Sequence, residues 1–333
     1  MKTRATLSDV ARIAGVTMMT VSRVINNKPG VSAEMRQKIL DIAREIDYRP
    51  NQIARGLATN QTTTVGLVVP DNTNPFFAQI ARGVEDHAYE RGYNIFLINT
   101  AEDTTRELRA LDSLWEKDVD GLILCSSRLP NSRLEKQIER FSATVLLNRE
   151  LKTPMPGTIT INLNDQNTAH LAVSHFLSSG RRCIAHISGP SNSNSAQKRL
   201  EGFKAALKAA NLPYDASLVE SSPPDTESGH TAAGNLLAAH PEIDAIFAFN
   251  DLVAMGALQY CLEIGKQVPQ DIAIMGVDDI PLASIVRPKL TTLHFNQNYI
   301  GRLAMRTLLE IVAGEASPAS IRIEPELYVR ESA

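Results

Sequence analysis

The chain has 333 residues, of which 43% are hydrophobic and 21% are charged, and its formal net charge is −3. This length predicts two or three domains, and the composition is typical of a folded protein and not of a disordered or fibrous one. The three cysteines are too few and too widely spaced for a disulfide framework, no CxxC pair indicates zinc, and no uncharged apolar run approaches the ~18 residues of a membrane span.

The charge is distributed unevenly along the chain. Residues 1–61 contain ten Lys or Arg and five Asp or Glu, whereas residues 62–333 contain 24 and 32. A basic head on an acidic body indicates a polyanionic partner for the head, although chance asymmetry is an equally good explanation of charge alone. The first ten residues lack the apolar core of a signal peptide, so a cytoplasmic location is expected.

The first 26 residues predict two short helices separated by a glycine. Thr6 is followed three residues later by Asp9, which is the spacing of a capping box at a helix start. Gly15 should end this helix, because glycine adopts a left-handed backbone at little cost. From Thr17, a second N-cap candidate, to Asn26, apolar residues lie on one helix face and polar residues on the other. This arrangement is typical of a helix-turn-helix.

A third helix is predicted to begin after Ser32. The apolar residues from Met35 to Ile46 recur every three or four positions, so one face of this helix can complete a small core with the first two. Periodicity alone leaves two interpretations open. One is a DNA-binding domain whose second helix enters the major groove, and the other is a three-helix bundle with no role in nucleic-acid binding.

The stretch TLSDVARIAGVTMMTVSRVINNKPGVSAEMRQKILDIAREIDYRPNQIARGL closely resembles the DNA-binding head of the LacI/GalR family of bacterial transcription regulators. The resemblance implies a helix-turn-helix DNA-binding domain in residues 1–49 and a hinge helix or linker in residues 50–61. The positions that match the family's base-facing set are Thr17, Met18, Met19, Thr20, Ser22, Arg23 and Asn26. Those that match its contacts to the phosphate backbone are Thr6, Leu7, Ser32 and Tyr48.

Three of these positions set the expected mode of base readout. Arg23 can donate two hydrogen bonds to guanine O6 and N7. Met18 and Met19 occupy the two positions that vary with operator preference in the family, and methionine cannot form strong hydrogen bonds with a base edge. We therefore expect apolar contacts there, with thymine methyl groups.

The segment YRPNQIARGLATN matches the family's hinge. Pro50 disfavours helix at the preceding residue, so the third helix should end nearby. Beyond it, Asn51 can cap a two-turn helix that carries Ala54 and Leu57, and so short a helix is unstable alone. The resemblance implies that this helix orders on operator DNA and that Leu57 wedges into a base step of the minor groove. A plain linker is the alternative.

After residue 62, apolar runs of the kind buried on both faces of a parallel sheet alternate with helical stretches. These runs lie at 65–69, 94–98, 121–125, 144–148, 183–188, 245–249 and 272–277. The alternation predicts two doubly wound α/β units. The last strand-like segments, near TTLHF (291–295) and SIRIE (320–324), resemble a return of the chain into the first unit.

The predicted fold class is therefore α/β with an N-terminal all-α head: a helix-turn-helix domain followed by a two-lobed, doubly wound core like that of periplasmic binding proteins. The effector-binding and dimerisation core spans residues 62–333. Its N-subdomain is predicted at about 62–162 plus 292–325, and its C-subdomain at about 163–291. A ligand cleft is expected at the carboxyl ends of the strands.

Seven residues match the family's effector pocket: Asn72, Phe76, Phe77, Arg199, Asn250, Asp278 and Phe295. An arginine, an asparagine and an aspartate that converge on a cleft are typical of a site for a polyhydroxylated molecule. For each residue alone, a helix cap, a salt bridge or core packing is the simpler explanation. Phe295 stands where the family often has glutamine and Pro224 where it often has a stacking aromatic, so the aromatic wall is hypothesised to lie on the Phe295 side.

The sequence is identified as that of a member of this family. It is expected to be a DNA-binding transcriptional repressor and not an enzyme, acting as a cytoplasmic homodimer on a pseudo-palindromic operator. A small-molecule effector, a sugar or related metabolite, is expected to control its affinity for DNA. No cofactor, metal or membrane partner is expected. The NPFF and RLEGF stretches lean toward the ribose and purine regulators.

Two rival functions stay open at this stage. A periplasmic-type sugar receptor is disfavoured by the basic head and by the missing signal peptide. A sugar-active enzyme is disfavoured because the sequence has no GxGxxG motif after a strand, no GxxxxGK[ST] motif and no GxSxG motif.

Overall fold

The computed structural model of the chain describes residues 5–49, 61–315 and 320–333, which contain eleven α-helices and twelve β-strands. The chain divides into two compact units, a head from Met1 to Thr62 and a body from Thr63 to Ala333. Each unit has its own hydrophobic core, and the two are described separately.

The head contains three helices: α1 (Leu7–Ala14), α2 (Met18–Ile25) and α3 (Ala33–Glu45). The predicted helix starts are confirmed, because Thr6, Thr17 and Ser32 each accept a hydrogen bond from the backbone N–H three residues later. Asp9 completes the capping box, and Gly15 ends α1 at φ +71°, a conformation that favours glycine. The helices enclose a small core of Val10, Ala11, Ala14, Val21, Val24, Ile39 and Ala43.

The body contains two six-stranded sheets with the same strand order. The first sheet runs β2-β1-β3-β4-β5-β11 and is parallel throughout. Its strands are β1 (Thr64–Val69), β2 (Asn94–Asn99), β3 (Gly121–Cys125), β4 (Thr144–Leu147), β5 (Thr158–Leu163) and β11 (Ser320–Ile323). The order reverses between β1 and β3, so the loops that follow these two strands flank a crevice at the carboxyl edge of the sheet.

The second sheet runs β7-β6-β8-β9-β10-β12, with only β12 antiparallel to its neighbour. Its strands are β6 (Ile184–Ser188), β7 (Val219–Ser221), β8 (Ala245–Ala248), β9 (Ala273–Asp278), β10 (Thr291–His294) and β12 (Glu326–Tyr328). Here the order reverses between β6 and β8. Each of the two sheets therefore has a crevice at the carboxyl ends of its strands.

Helices cover both sheets: α4 (Pro75–Glu90), α5 (Thr104–Glu116), α6 (Asn131–Ile138), α7 (Asp165–Ser178), α8 (Asn194–Ala209), α9 (Thr226–Ala239), α10 (Asp251–Glu263) and α11 (Gln297–Val312). We call the first sheet with α4, α5, α6 and α11 lobe 1, and the second sheet with α7 to α10 lobe 2. Within lobe 1, α4 and α11 approach closely at Gly83 and Gly301, where an added Cβ would lie 2.1 Å from a carbonyl oxygen of the facing helix.

Two predictions about the strands are wrong. The run at 94–98 was predicted to be buried on both faces, but β2 is an edge strand, and Phe96 and Leu97 are exposed. The segment TTLHF was assigned to lobe 1, but β10 pairs with β9 in lobe 2. The lobe boundary therefore lies after His294 and not near residue 292, because hydrogen-bond pairing between distant strands, and not local apolarity, decides which sheet a strand joins.

The chain crosses between the lobes three times: after β5, after β10 and after β11. Glu324, which follows β11, accepts hydrogen bonds from the side-chain amides of Asn164 and Asn167 at 2.9 and 3.0 Å. Asn164 also donates its backbone N–H to the carbonyl of Ile323 at 2.8 Å. Two of the three crossings are thereby fastened side by side.

Candidate DNA-recognition helix and effector cleft

Helix α2 has one buried and one exposed face. Val21 and Val24 point into the head core, whereas Thr17, Arg23 and Asn26 are exposed. Met18 and Met19, adjacent at the start of α2, are 57% and 70% exposed and form an apolar pair on the surface of the head. Thr20 and Ser22 are half-buried. The predicted base-facing set therefore lies outside the core of the head.

Two residues of this region have structural roles that sequence reasoning did not separate from recognition. Asn26 ends α2, and its side-chain amide donates to the carbonyl of Ser22 at 2.9 Å. Arg36, on α3, was not predicted as functional. Its guanidinium donates to the carbonyls of Val24 and Lys28 at 3.3 and 2.7 Å, so it fixes the loop between α2 and α3.

The predicted phosphate contacts lie at helix starts and at the end of the head. Thr6 and Ser32 are exposed N-caps, and Leu7 and Tyr48 are half-buried. N-caps are suited to phosphate binding because the first N–H groups of a helix point toward solvent and carry partial positive charge. The remaining predicted contacts, Asn51, Ala54 and Leu57, lie outside the described residues, as does most of the predicted hinge segment.

In the body, a cavity of about 40 Å³ is lined by the loops that follow strands of both lobes. Its lining residues are Asp71, Asn74, Phe76, Phe77, Glu102, Ser126, Arg128, Asn148, Ser193, Ser195, Arg199, Pro224, Phe249, Asn250 and Asp278. The sequence prediction named five of them. A wider recess of about 720 Å³ adjoins it and shares Asp71, Glu102 and Pro224.

Four of the lining residues have a left-handed backbone although none is glycine. Glu102, Ser126 and Asn148 lie at φ +58°, +47° and +51°, and Asp278 lies at φ +110°. Such conformations are disfavoured for L-residues and concentrate at functional sites, where the surrounding structure maintains them. Glu102, Ser126 and Asn148 follow β2, β3 and β4, and Asp278 is the last residue of β9, so the strained positions outline the carboxyl edges of both sheets.

Asp278 carries the only carboxylate on the lobe 2 side of this lining, and it is 5% exposed. Within the described residues no hydrogen bond to its carboxylate is formed, whereas its backbone carbonyl accepts one from the side chain of Gln297. Burial raises the pKa of this carboxyl well above its usual value, and the nearby Arg199 opposes that shift. A buried carboxylate without a partner beside a cavity is a strong acceptor for a ligand hydroxyl or amine.

Arg199 is fixed on the lobe 2 side of the cavity. Its Nε lies 2.8 Å from Oδ1 of Asp165, and the two side chains are only 4% and 2% exposed. Its Nη1 donates to the carbonyl of Phe249, and its guanidinium lies 4.9 Å from the centre of that ring. Asn250 caps α10 by accepting from the N–H of Val253 at 2.9 Å. Arg199 and Asn250 therefore line the cavity as predicted, but some of their hydrogen-bonding atoms are already bound to protein groups.

The aromatic residues only partly follow the prediction. Phe76 and Phe77 line the cavity from α4, with ring centres 5.1 Å apart in an edge-to-face contact. Phe295 does not line it, because this side chain is 1% exposed in the core between the lobes, and Phe249 supplies the lobe 2 aromatic instead. Asn72 is exposed and does not line the cavity, whereas Asn74 two residues later does.

Sequence reasoning missed the polar residues that lobe 1 contributes. Arg128 binds Glu102 through two hydrogen bonds, from Nε at 2.5 Å and from Nη2 at 3.0 Å. Asn148 accepts from the backbone N–H of Leu163 at 3.0 Å, which leaves its NH2 group to donate to a ligand. Each of these residues lies within three residues of the carboxyl end of a strand, and that position was the one signal that could have identified them.

Behind the cavity, Asp251 is fully buried. Its carboxylate accepts hydrogen bonds from Thr292 Oγ1 at 2.6 Å and from the backbone N–H of Ile280 at 2.8 Å. Burial raises the pKa of this carboxyl to about 7. The Asp251 carboxylate also covers Gly276, where an added Cβ would lie 2.2 Å from Oδ1.

Across the three described ranges of the chain, no group of three or more His, Cys, Asp or Glu side chains is placed to hold a metal ion. The cysteines at 125, 183 and 261 are free thiols. No helix within those ranges combines the length and the hydropathy needed to cross a lipid bilayer.

A helix-turn-helix head joined to a two-lobed α/β body with an interlobe cavity defines a ligand-responsive DNA-binding protein class. Residues 6–51 match the family described as bacterial regulatory proteins, lacI family. Residues 62–331 match the periplasmic binding proteins and sugar binding domain of LacI family. The chain belongs to the LacI family of bacterial regulatory proteins.

Similar proteins span the same length. The chain is 37% identical over 332 residues to the ribose operon repressor of Escherichia coli (strain K12), covering 99% of this chain and 100% of that one. It is 34% identical over 330 residues to the HTH-type transcriptional repressor PurR of Mannheimia succiniciproducens, covering 98% of each. Both relatives are named as repressors.

Two solved structures of similar proteins confirm the fold. The lac repressor dimer bound to operator and the anti-inducer ONPF superposes with a TM-score of 0.91 at 26% identity, covering 99% of each chain. The complex of the transcriptional regulator CelR with cellobiose superposes with a TM-score of 0.76 at 32% identity, covering 99% of this chain and 100% of that one.

Proposed function

We propose that this protein is a transcriptional repressor that binds a pseudo-palindromic operator as a homodimer and changes its operator affinity when a small molecule occupies the cavity between the lobes. The observation that carries the proposal is the cavity itself. Both lobes supply its lining, and it combines the unpartnered carboxylate of Asp278 with two arginines and three phenylalanines. A ligand there contacts both lobes at once, so its binding energy depends on how the lobes are arranged.

In the proposed complex with DNA, α2 lies in the major groove. Arg23 reads guanine, and the exposed Met18 and Met19 contact thymine methyl groups. Thr17, Thr20, Ser22 and Asn26 complete the base-facing set, while Thr6, Leu7, Ser32 and Tyr48 contact phosphates and fix the register. Asn51, Ala54 and Leu57 are proposed to contact the minor groove.

The proposed effector is polyhydroxylated. Asp278 can accept from its hydroxyl groups, Asn148 can donate to them, and the faces of Phe76 and Phe249 can pack on its carbon skeleton. The family description names a sugar binding domain for this part of the chain, and one similar structure holds cellobiose. One of the two relatives described above is named the ribose operon repressor, which supports a sugar or related metabolite.

Two exposed apolar sets support a homodimer. In lobe 1, Tyr89, Phe96 and Leu97 lie at the end of α4 and on the edge strand β2. In lobe 2, Leu262 lies near the end of α10, and Ile285 follows the short 3-10 helix Pro281–Ser284, which comes after β9. Exposed apolar patches of this kind mark protein interfaces, and a two-fold dimer presents two heads to two half-sites. The protein is proposed to act in the cytoplasm, where its operator is, and to have no enzymatic activity.

The proposal is tested by footprinting the full chain on DNA upstream of its neighbouring genes, with and without a panel of sugars, sugar acids and purines. One protected pseudo-palindrome, and one compound class that changes the protection, are expected. Asp278→Ala should retain the footprint and lose the response to the compound. If the full chain protects no site, or if Asp278→Ala responds normally, the proposal is wrong. The direction of the response distinguishes an inducer from a corepressor.

A further inference from the structure

The two arginines that line the cavity are paired in different ways. Arg199 and its partner Asp165 are both almost fully buried, at 4% and 2% side-chain exposure. Arg128 is equally buried at 4%, but the side chain of its partner Glu102 is 26% exposed. One pair is closed within the protein, and the other has a carboxylate that reaches solvent.

Arg128 is held in place by groups other than Glu102. Its Nη1 donates to the carbonyl of Ser126 at 3.0 Å, and its backbone N–H donates to the buried carboxylate of Glu107 at 3.0 Å. The neighbouring Ser127 also donates to Glu107 and accepts from the N–H of Leu129 at 3.2 Å. The guanidinium therefore keeps its position and orientation if the Glu102 carboxylate leaves.

Glu102 stands at the boundary between two spaces. It lines the inner cavity of about 40 Å³ and also the adjoining recess of about 720 Å³. The inner space is small beside the recess, so a ligand of sugar size would extend from one into the other past Glu102. Rotation of Glu102 toward the recess would join the two spaces without burying its carboxylate.

The electrostatics of the inner cavity favour an anionic group at the place that Glu102 occupies. Three helices begin at the cavity, because the N-caps of α4, α8 and α10 (Asn74, Ser193 and Asn250) all line it. Helix N-termini carry partial positive charge. The buried guanidinium of Arg128 adds a full charge, and a buried arginine that loses its carboxylate without replacement is strongly destabilising.

We propose that Arg128 recognises a carboxylate of the effector, which takes the place of the Glu102 carboxylate, so that the effector is a polyhydroxylated carboxylic acid of the sugar-acid type. The inference rests on the proposed function, because it takes the cavity as the effector site. The planar guanidinium fork matches a carboxylate through two hydrogen bonds, so one carboxylate replaces another with the same geometry and no net change of buried charge.

The other end of the cavity limits the effector to a single acidic group. Asp278 is an unpartnered acceptor, which suits hydroxyl groups and offers no cation to a second anionic group. Asp71 also lines the cavity. A phosphate ester, with up to two negative charges, would add charge beside these two residues, whereas a carboxylate exchanged for Glu102 does not. The chemistry therefore favours a carboxylate over a phosphate.

The test is calorimetric titration of the full chain with matched pairs: D-gluconate and D-glucose, D-ribonate and D-ribose, D-galactonate and D-galactose, with D-ribose 5-phosphate as the phosphate arm. At least one acid should bind at least about tenfold more tightly than its neutral partner, because each arginine–carboxylate pair in a dry site is worth a factor of ten or more. Glu102→Gln removes the competing carboxylate and should tighten binding of that acid about tenfold. Arg128→Met should weaken it about 100-fold or more.

A matched control is Glu150→Gln, because Glu150 is an acid at another recess of the cleft and pairs with Lys198 at 3.8 Å. It should change the affinity for the acid less than about threefold. The sign of the Glu102→Gln effect decides between two roles. If Glu102 itself accepts hydrogen bonds from the hydroxyl groups of a neutral sugar, Glu102→Gln must bind that sugar more weakly than the wild type does.

Tighter binding of the neutral member in every pair, tighter binding of the phosphate ester than of any acid, or no binding of any compound overturns the proposal. So does weaker acid binding by Glu102→Gln. None of these results depends on operator binding, which is measured separately by the footprint. A chain that protects an operator and binds only neutral sugars therefore retains the proposed function and refutes the sugar-acid effector.

Discussion

The two recognition surfaces of this protein are built in opposite ways. In the head, the side chains proposed to read DNA stand on the outside of α2, and the fold beneath them depends on Val21 and Val24. In the body, the residues around the cavity are buried, strained or paired, and they are themselves part of the interior. Recognition and stability are therefore carried by different residues over most of α2, with caps such as Thr17 as exceptions, whereas in the cleft the same residues carry both.

The largest expected effect comes from breaking the closed arginine pair of the cleft. Arg199→Met leaves Asp165 buried without its partner, and such a loss costs about 3–5 kcal/mol of the free energy of unfolding. Urea unfolding followed by the fluorescence of Trp115, the single tryptophan of the chain and a residue of the body, measures it.

A matched control for this variant is Arg82→Met on the surface of α4. Arg82 Nε also lies 2.8 Å from an aspartate oxygen, that of Asp86, but the arginine side chain is 67% exposed. The urea midpoint should be unchanged there, because water solvates the remaining charge. If the two variants lose the same unfolding free energy, burial is not what makes the Arg199 pair more important than a surface pair.

The second prediction concerns the head. Arg23→Ala should lower operator affinity by about 1–3 kcal/mol, because one bidentate base contact is lost, and it should leave the unfolding of both units unchanged. Binding is measured by fluorescence anisotropy with operator and with scrambled DNA. Arg44→Ala, an exposed arginine of α3, removes the same charge and serves as control. Equal loss on both DNA sequences would contradict a base-reading role for Arg23.

The third prediction uses pH to probe the interior of the cleft. The pKa of Asp251 is about 7 in the folded protein, above its ordinary value of 3.8. The folded state therefore favours the protonated carboxyl. The stability that this preference contributes is fully present below pH 3.8 and is lost as the pH rises through 7. The stability of the wild type relative to Asp251→Asn should fall between these limits, by at most about 1.4 kcal/mol per pH unit, and stay constant above pH 8.

The head offers the opposite sign for comparison. Hydrogen bonds from Thr6 lower the pKa of the exposed Asp9. Its contribution is therefore present above pH 3.8 and is lost as the pH falls through the folded value. Urea midpoints read from Trp115 for the body, and amide exchange in α1 for the head, separate the two when both are measured from about pH 2 to about pH 9. A flat difference between the wild type and Asp251→Asn over this range would refute the titration of Asp251.

The smallest expected effect separates two roles of one head residue. Thr17 is both the N-cap of α2 and a proposed DNA contact. Thr17→Ala should destabilise α2 by about 1 kcal/mol, whereas Thr17→Ser retains the cap. Amide exchange in α2 measures the cap, and operator binding measures the contact. If Thr17→Ser is as unstable as Thr17→Ala, the hydroxyl is not what caps the helix.

The sequence predicted the head more completely than the cleft, for physical reasons. The cap at Thr6, the turn at Gly15 and the apolar face of α3 are set by neighbours within a few residues, so periodicity and capping rules are sufficient. In the body, apolar runs predicted most strands. They could not show that β10 joins lobe 2, because strand pairing is decided over long sequence distances.

The cleft residues illustrate the same limit. Arg199, Asn250 and Asp278 were found through resemblance, whereas the pair of Arg128 and Glu102 is 26 residues apart in sequence and has no motif. Phe295 was misassigned to the cavity, because apolar residues at a strand end look alike whether they face a ligand or a core. The left-handed backbone at these positions also left no trace, since it is not occupied by glycine.

The fastening of two chain crossings by Glu324 has a mechanical consequence. Two lobes joined by one crossing can rotate about it in any direction. Three crossings, two of them hydrogen-bonded to each other, restrict twisting and sliding and leave hinge bending as the easiest motion. A ligand that contacts both lobes then acts mainly on this hinge bending. Its binding therefore changes one interlobe angle, and not several independent rotations and translations.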